Sequence, residues 1–511
     1  MKTNSSFFIK WLDKVERFGN KLPNAATLFI ILSFIIILVS HILYLQGTYI
    51  SFYSFDSTTN SFTENNIYAV SLLSRNGIDF MVSSFVSNFV TFIPMGIVFV
   101  IMIGVAVADK SGLLETLLKK IAKSAHPKIL TPLVIFLATI SSVASAFGFA
   151  VWIPLSALLF ISFGRHPIAG LTASFAGVAG AWAANVLIAP NDVVFAGLTQ
   201  QAAHILDNSY YVLPTGNWFF MSVSTILITI LGTWVTEKIV EPKLGKYENS
   251  QKKENVEISN LEKKGLKYAG ISFLIYVCIV LALILPENGP LRNATTGGIL
   301  VSPFMNGIVF FSMAMFLIPG LVYGIITKSI RSDHQVIKMI EESIKGIVDF
   351  LVLIFFASQF VAHFNFSNMG IIISINGANI LENLGFVGLP LVISIIIVVS
   401  IIDLVFSVDT AKWAMMAPVF VPMLMMLGIS PELTQLAYRI GDSTTNLISP
   451  LMPFFPMMLA FVQRYNKNAG IGTVISLMLP YTLTFLLGWI LLLVVWFLLG
   501  IPLGPSVSLF Y

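Results

Sequence analysis

The chain has 511 residues, of which 56% are hydrophobic and only 11% charged, against about 25% charged in an ordinary soluble domain. So little charge cannot cover the aqueous surfaces of the several domains that this length suggests at roughly 150 residues each, which excludes most soluble folds. A net charge of +4 is too small to argue for a nucleic-acid partner, and the single cysteine, Cys278, excludes an intramolecular disulfide.

Residues 1–24 carry Lys2, Lys10, Lys14, Arg17 and Lys21 and no cleavage-type site, which reads as a cytoplasmic N-terminal segment rather than a signal peptide. Apolar segments follow at 25–46, 80–108, 129–163, 168–203, 217–239, 266–285, 303–326, 346–370, 389–427, 432–462 and 473–499. Two of them, 129–163 and 389–427, would each exceed about 50 Å as one helix, well past a hydrocarbon core of ~30 Å. Each is read as a re-entrant hairpin of two half-helices with a polar tip. The sequence thus predicts an all-α polytopic membrane protein with nine transmembrane helices and two re-entrant hairpins. Its halves, 25–240 and 267–511, are joined by a hydrophilic cytoplasmic linker at 241–266.

Lys and Arg positions test this topology, because they accumulate on the cytoplasmic side. With the N-terminus inside and the hairpins returning to their own side, 25 of the 29 Lys and Arg fall on cytoplasmic segments. Arg75 and Arg292 lie outside, Lys412 and Arg439 fall within membrane segments, and the C-terminus lies outside. Counting a hairpin as a full crossing would invert the later loops and spoil the partition.

The two hairpins resemble each other: SSVASAFGFAVWIPL from Ser141 and FSVDTAKWAMMAPVF from Phe406. Aligning Pro154 with Pro418 sets Ser145 and Ala146 opposite Asp409 and Thr410, and Phe149 opposite Trp413. The next span in each half is interrupted alike, by AANVLIAP with Asn185 and Pro190 and by TTNLISP with Asn446 and Pro450. The first hairpin enters from the cytoplasm and the second from outside. Two similar units of opposite orientation mark an inverted-repeat secondary transporter with its substrate bound near the midplane at the broken elements.

Ionisable side chains inside a membrane cost about 2.5–3.5 kcal/mol each at a helix centre and face a cavity or a partner. Those here are Asp192, Asp403, Asp409, Lys412, Arg439 and Asp442, while Asp109 and Asp349 sit at membrane edges where solvation explains them. Asp192 follows Pro190, which frees backbone carbonyls; such a carboxylate suits Na⁺ coordination, reversible protonation, or merely a helix cap. Arg439 and Asp442 are three apart on one helical face, as a structural pair or beside the polar Ser443–Asn446 run. Lys412 can snorkel to interfacial water, meet a substrate carboxylate, or neutralise Asp409. Trp413 offers either an aromatic wall or packing. The six histidines show no metal-ligand spacing, and no HExxH, GxSxG or Walker A pattern supports enzymatic chemistry.

At these residues the sequence closely resembles the AbgT family, the bacterial p-aminobenzoyl-glutamate transporters. The resemblance is carried by FGNKLPNAATLF, GRHPIAGLTASFAGVAG, NVLI…DVVFAGLT, NWFFM…EKIVEPKLG, FNFSNMG, AKWAMMAPVFVPMLMMLGISPE and YRIGDSTTNLISPLMPFFP, in order along nearly the whole chain. It implies a homodimer in the bacterial inner membrane, with nine-helix subunits, two hairpins, an inner dimerising core and an outer transport core. The family includes importers of p-aminobenzoyl-glutamate and exporters of sulfonamide-type antimetabolites, driven by Na⁺ or H⁺ and without a cofactor. The family's functional aspartate maps to Asp192, its hairpin Ser/Thr and Trp to Thr410 and Trp413, and its later Pro, Arg, Asp and Pro to Pro431, Arg439, Asp442 and Pro450.

Together these readings assign substrate binding to Ser145, Asp409, Thr410, Lys412, Trp413 and Arg439, and ion coupling to Asn185, Asp192, Asp442 and Asn446. Na⁺ is expected near Asn185, Asp192 and Asn446, and helix breaks at Pro190, Pro431 and Pro450. The expected partners are a small-molecule substrate, membrane lipid and a second copy of the chain. Two departures from the family pattern stand out. The first tip reads Ser145-Ala146-Phe147-Gly148 without an acid, and the second carries Asp409 and Asp403 where a small residue and an amide are commoner.

Overall fold

A computed structural model describes residues 25–56, 61–123, 127–141, 148–245, 247, 258–295, 297–299, 302–345, 348–404 and 406–511. The N-terminal segment 1–24, residues 246 and 248–257 of the linker, and the first hairpin tip with Ser145 and Ala146 lie outside the described residues. Among the described residues, five helices are long and apolar enough to cross a membrane: Ala25–Leu45, the run from Trp218 to Leu244, Asn260–Ile284, Ile308–Thr327 and Ile471–Leu499. The other apolar segments are divided into shorter helices, and the divisions hold most of the buried charge.

Both proposed hairpin regions are helix–break–helix units. The first runs Leu130–Ile140, then a wide turn at Gly148–Trp152, then Ile153–Ser162. The second runs Gly388–Asp403 and Asp409–Met426. The following segments are divided too. Pro167–Val178 and Pro190–Ala203 flank one break, and Pro431–Thr445 and Phe455–Gln463 the other. Pro190 and Pro431 each stand at the first helical position, where a missing N–H costs nothing and φ is already set. Pro431 therefore starts a helix, capped by Ser430 Oγ accepting from Leu433 N at 3.3 Å, rather than breaking one. Pro450 lies in the irregular stretch after Thr445.

The structure adds one element to the mainly α-helical sequence reading and corrects two of its spans. The chain is not wholly α-helical: Tyr49–Asp56 and Ser61–Tyr68 pair as an antiparallel hairpin, with Tyr49 opposite Tyr68. The segment 80–108 is not one span but Arg75–Ser83, Phe85–Val90 and Ile93–Lys110, interrupted where Phe92 is extended ahead of Pro94. The segment 346–370 runs on into a second helix, Met369–Asn383, bent 71° from the first. The bend sits at Asn368, whose φ of 58° takes the left-handed conformation that asparagine tolerates.

A separate bundle packs beside these broken elements. Ile93–Lys110 crosses Ile308–Thr327 closely, since a Cβ on Gly104 would lie 2.2 Å from the Met313 carbonyl oxygen. Small residues at such crossings let membrane helices approach. Asn260–Ile284 packs on the same helix, and Thr116 and Tyr323 share a hydroxyl–hydroxyl bond of 2.7 Å nearby.

Both ends of the broken bundle are tied down. At the charged end, the Arg165 fork meets both Glu241 oxygens at 2.9 and 2.5 Å and Thr131 Oγ1 at 2.6 Å. Next to it, His166 Nδ1 accepts from Ile168 N at 3.2 Å, and burial holds its imidazole below the ordinary pKa. At the other end the C-terminal residues strap the loop before Pro431: Ser430 N donates to Leu509 O, and Tyr511 N to Gly428 O, each at 3.1 Å.

Candidate functional site

The breaks bring six ionisable side chains into the interior: Asp192, Asp403, Asp409, Lys412, Arg439 and Asp442. Removing a charge from water costs several kcal/mol unless a partner compensates, and the pairing found is not the one that sequence spacing suggests. Arg439 and Asp442 share a helix face but do not pair. Arg439 Nη2 instead lies 2.6 Å from Asp192 Oδ1, both residues being 3% exposed. Lys412 Nζ lies 2.5 Å from Asp403 Oδ1 and 2.7 Å from Asp442 Oδ1, with all three side chains at most 1% exposed. Lys412 therefore neither snorkels to water nor neutralises Asp409.

Asp192 serves as the helix cap considered for it and also takes an ion-pair partner that the sequence reading did not assign. Its Oδ2 accepts the Ala189 N–H at 2.6 Å, closing the start of Pro190–Ala203, while Oδ1 faces Arg439. The pair joins the two halves of the chain. Asp409 joins them a second time: Oδ2 accepts Trp182 Nε1 at 2.7 Å and Asn191 Nδ2 at 3.3 Å, both from the first half's break. Its Oδ1 caps the helix Asp409–Met426 through Thr410 N at 2.6 Å and also accepts the Thr410 hydroxyl at 3.1 Å. Asn185 Oδ1 accepts Leu187 N at 3.1 Å, holding the first break, and Asn446 Nδ2 donates to Asp442 Oδ2 at 3.3 Å.

Sequence reasoning missed the groups that aim the aromatic wall. Trp413 Nε1 and Gln435 Nε2 both donate to Thr199 Oγ1 at 3.0 Å, and Asn217 Nδ2 donates to Gln435 Oε1 at 2.6 Å. The Trp413 ring lies 4.6 Å from that of Tyr438, whose hydroxyl donates to the Asp409 carbonyl at 2.5 Å. The spacing held a signal: Thr199 is two turns beyond Asp192, and Gln435 one turn before Arg439, so each shares a helix face with a charge already singled out.

Buried polar atoms here without a hydrogen-bond partner among the described residues include Arg439 Nε, Asp403 Oδ2 and Asn217 Oδ1. Four carboxylates face two cations, and Arg439 keeps a donor in reserve. Such a site can hold a cation, a carboxylate, or both by exchange. No cluster of three His, Cys, Asp or Glu that could hold a metal ion occurs among the described residues.

Helices broken around buried, exchangeable charge define a polytopic membrane protein of the transporter class. The family model described as "AbgT putative transporter family" matches residues 10–511. The p-aminobenzoyl-glutamate transport protein of Escherichia coli (strain K12) is 35% identical over 493 residues, covering 96% of each chain. Among solved structures, the Neisseria gonorrhoeae MtrF structure, described as illuminating a class of antimetabolite efflux pumps, superposes with a TM-score of 0.91 at 42% identity. It covers 98% of this chain and 100% of that one. The Alcanivorax borkumensis YdaH transporter gives 0.88 at 38% identity, covering 94% and 100%. The chain belongs to the AbgT family, whose members are transporters rather than enzymes.

Proposed function

We propose that the protein is an ion-coupled secondary transporter of p-aminobenzoyl-glutamate or a related small folate-type metabolite. It would act in the bacterial inner membrane as a homodimer with a cytoplasmic N-terminus. Nine spans and two re-entrant hairpins in an inverted repeat account for the paired helix–break–helix units and for the Lys and Arg distribution. The substrate is supported by the E. coli relative's name, by the Trp413–Tyr438 wall for an aryl ring, and by Arg439 for a carboxylate.

The observation that carries the reading is the Asp192–Arg439 pair at 2.6 Å between the two halves. A substrate carboxylate that takes Arg439 strips Asp192 of its counter-ion in a poorly solvated site. Asp192 must then acquire Na⁺ or a proton, because an unpaired buried carboxylate is far costlier than a neutralised one. Substrate and ion thereby favour each other's binding, which is the thermodynamic content of coupling. Asn185, at the break before Pro190, would lend its amide oxygen to that ion. The 42% identity to the MtrF structure supports a second reading, proton-driven export of sulfonamide-type antimetabolites by the same machinery.

Uptake of labelled p-aminobenzoyl-glutamate into proteoliposomes, with sodium and proton gradients imposed separately, tests both. Saturable uptake that follows one gradient establishes the coupling and its ion. A folded protein that moves p-aminobenzoyl-glutamate under neither gradient refutes the first reading, and gradient-driven sulfonamide flux would then establish the second.

A further inference from the structure

The second half contains a charge arrangement that the first half lacks. The Lys412 ammonium, 0% exposed, sits between Asp403 Oδ1 and Asp442 Oδ1 at 2.5 and 2.7 Å. Asn446 steadies the far oxygen of Asp442, and the Ser407 and Ser449 hydroxyls meet at 2.5 Å beside the Asp403 backbone carbonyl. The surroundings of the ammonium are therefore mainly oxygen. The helix beginning at Asp409 carries the ammonium, and its two carboxylate partners come from the end of the helix Gly388–Asp403 and from the helix Pro431–Thr445. Asp403 Oδ2 is buried without a hydrogen-bond partner among the described residues, so one carboxylate oxygen beside the ammonium is left without a donor.

Setting Pro154 against Pro418 places Gly148 opposite Lys412. Gly148 is buried, and even a Cβ there would lie 2.4 Å from Ser141 Oγ. The first half therefore has neither a tethered cation nor room to begin one, and Asp192 draws its partner, Arg439, from the other half. The two repeats solve the same electrostatic problem in different ways.

We propose that Asp403 and Asp442, with the Asn446 break, form a monovalent-cation site that the Lys412 ammonium occupies, so the second repeat carries its own counter-ion. Asp442 and Asn446 then hold no exogenous ion in the parent chain, and ion coupling is left to the Asp192 region. This is a binding property, and it stands whatever solute the protein carries. Removing the ammonium while keeping the carboxylates should open the site to sodium, an oxygen-seeking cation of suitable charge.

The test uses the full-length protein in detergent, its melting temperature followed as sodium replaces choline at constant ionic strength and alkaline pH. Lys412→Met should be stabilised by sodium with a half-effect concentration about tenfold or more below that of the parent chain. The double variant Lys412→Met/Asp403→Asn should return to the parent's response. A Lys412→Met protein that folds but responds to sodium like its parent overturns the proposal, as does a double variant that keeps the new response. If Lys412→Met cannot be purified in choline, the proposal requires sodium to rescue its yield. Failure in both salts, while the double variant folds, overturns it. Loss of gradient-driven uptake by the parent chain would refute the transport reading and leave these outcomes unaffected.

Discussion

Thr199 gives the sharpest test of how the site is held. Its hydroxyl is the shared acceptor for Trp413 Nε1 and Gln435 Nε2, each at 3.0 Å, and all three residues are at most 4% exposed. Thr199→Val keeps shape and volume but leaves two buried donors without that acceptor. Each unmade bond costs about 1–3 kcal/mol, so the variant should lose roughly 2–6 kcal/mol in all. Thr199→Ser retains the acceptor and should lose far less. The cost should divide between stability, read as a lower melting temperature in detergent, and substrate binding, read from uptake kinetics. If about 1.4 kcal/mol of it falls on the aim of Trp413, KM rises roughly tenfold. A Thr199→Val protein with the parent's melting temperature and KM would refute the idea that this hydroxyl positions the aromatic wall.

Five further outcomes are expected. Asp192→Asn strands a buried Arg439 and should cost about 3–5 kcal/mol of stability with loss of gradient-driven uptake, whereas Asp192→Asn/Arg439→Gln should recover much of the stability but not the uptake; additive effects in thermal denaturation would count against the pair. Gly104→Ala forces the crossing of Ile93–Lys110 and Ile308–Thr327 apart and should cost about 1–3 kcal/mol. Gly270→Ala, whose new Cβ meets nothing within 4 Å, should be neutral or slightly stabilising. Burial keeps the folded-state pKa of His166 below its ordinary value of 6.5. Its contribution is then complete above pH 6.5 and lost as pH falls through the folded value; in pH-dependent melting, His166→Asn, which retains a capping acceptor, should flatten that loss. Arg165→Lys gives up the two-pronged contact with Glu241 in a partly buried setting and should cost about 1–2 kcal/mol, measured at two salt concentrations.

The broken elements were legible because proline and asparagine announce themselves: Asn185 with Pro190, and Asn446 with Pro450, mark where two long apolar runs are interrupted. The charged residues were legible because a carboxylate in an apolar run has few explanations. Their pairing was not. Spacing on one helix favoured Arg439 with Asp442, but each met a side chain on another segment, and helical periodicity carries no information about which helices touch. Thr199 and Gln435 were overlooked because uncharged polar residues are ordinary in membrane helices, and their significance lies in sharing one hydrogen bond acceptor. The strands Tyr49–Asp56 and Ser61–Tyr68, eight residues each and rich in polar side chains, leave no mark in a pattern of membrane-length apolar runs. The bend at Asn368 escaped notice because a left-handed asparagine leaves no break in hydropathy.

The Asp192–Arg439 pair also bears on biosynthesis. Its members are 247 residues apart, so at 5–20 residues per second a ribosome takes about 12–50 s to pass from one to the other. Throughout that interval the first half holds an aspartate in a membrane segment whose cationic partner does not yet exist, at a cost of about 2.5–3.5 kcal/mol if the carboxylate is charged at the bilayer centre. The first half is therefore an unfinished intermediate. It must keep Asp192 protonated, solvated or sheltered by the insertion machinery until the helix Pro431–Thr445 arrives. Expressed alone, residues 25–240 should be a substrate for membrane quality control, and co-expression with the second half should rescue them only if Arg439 is present.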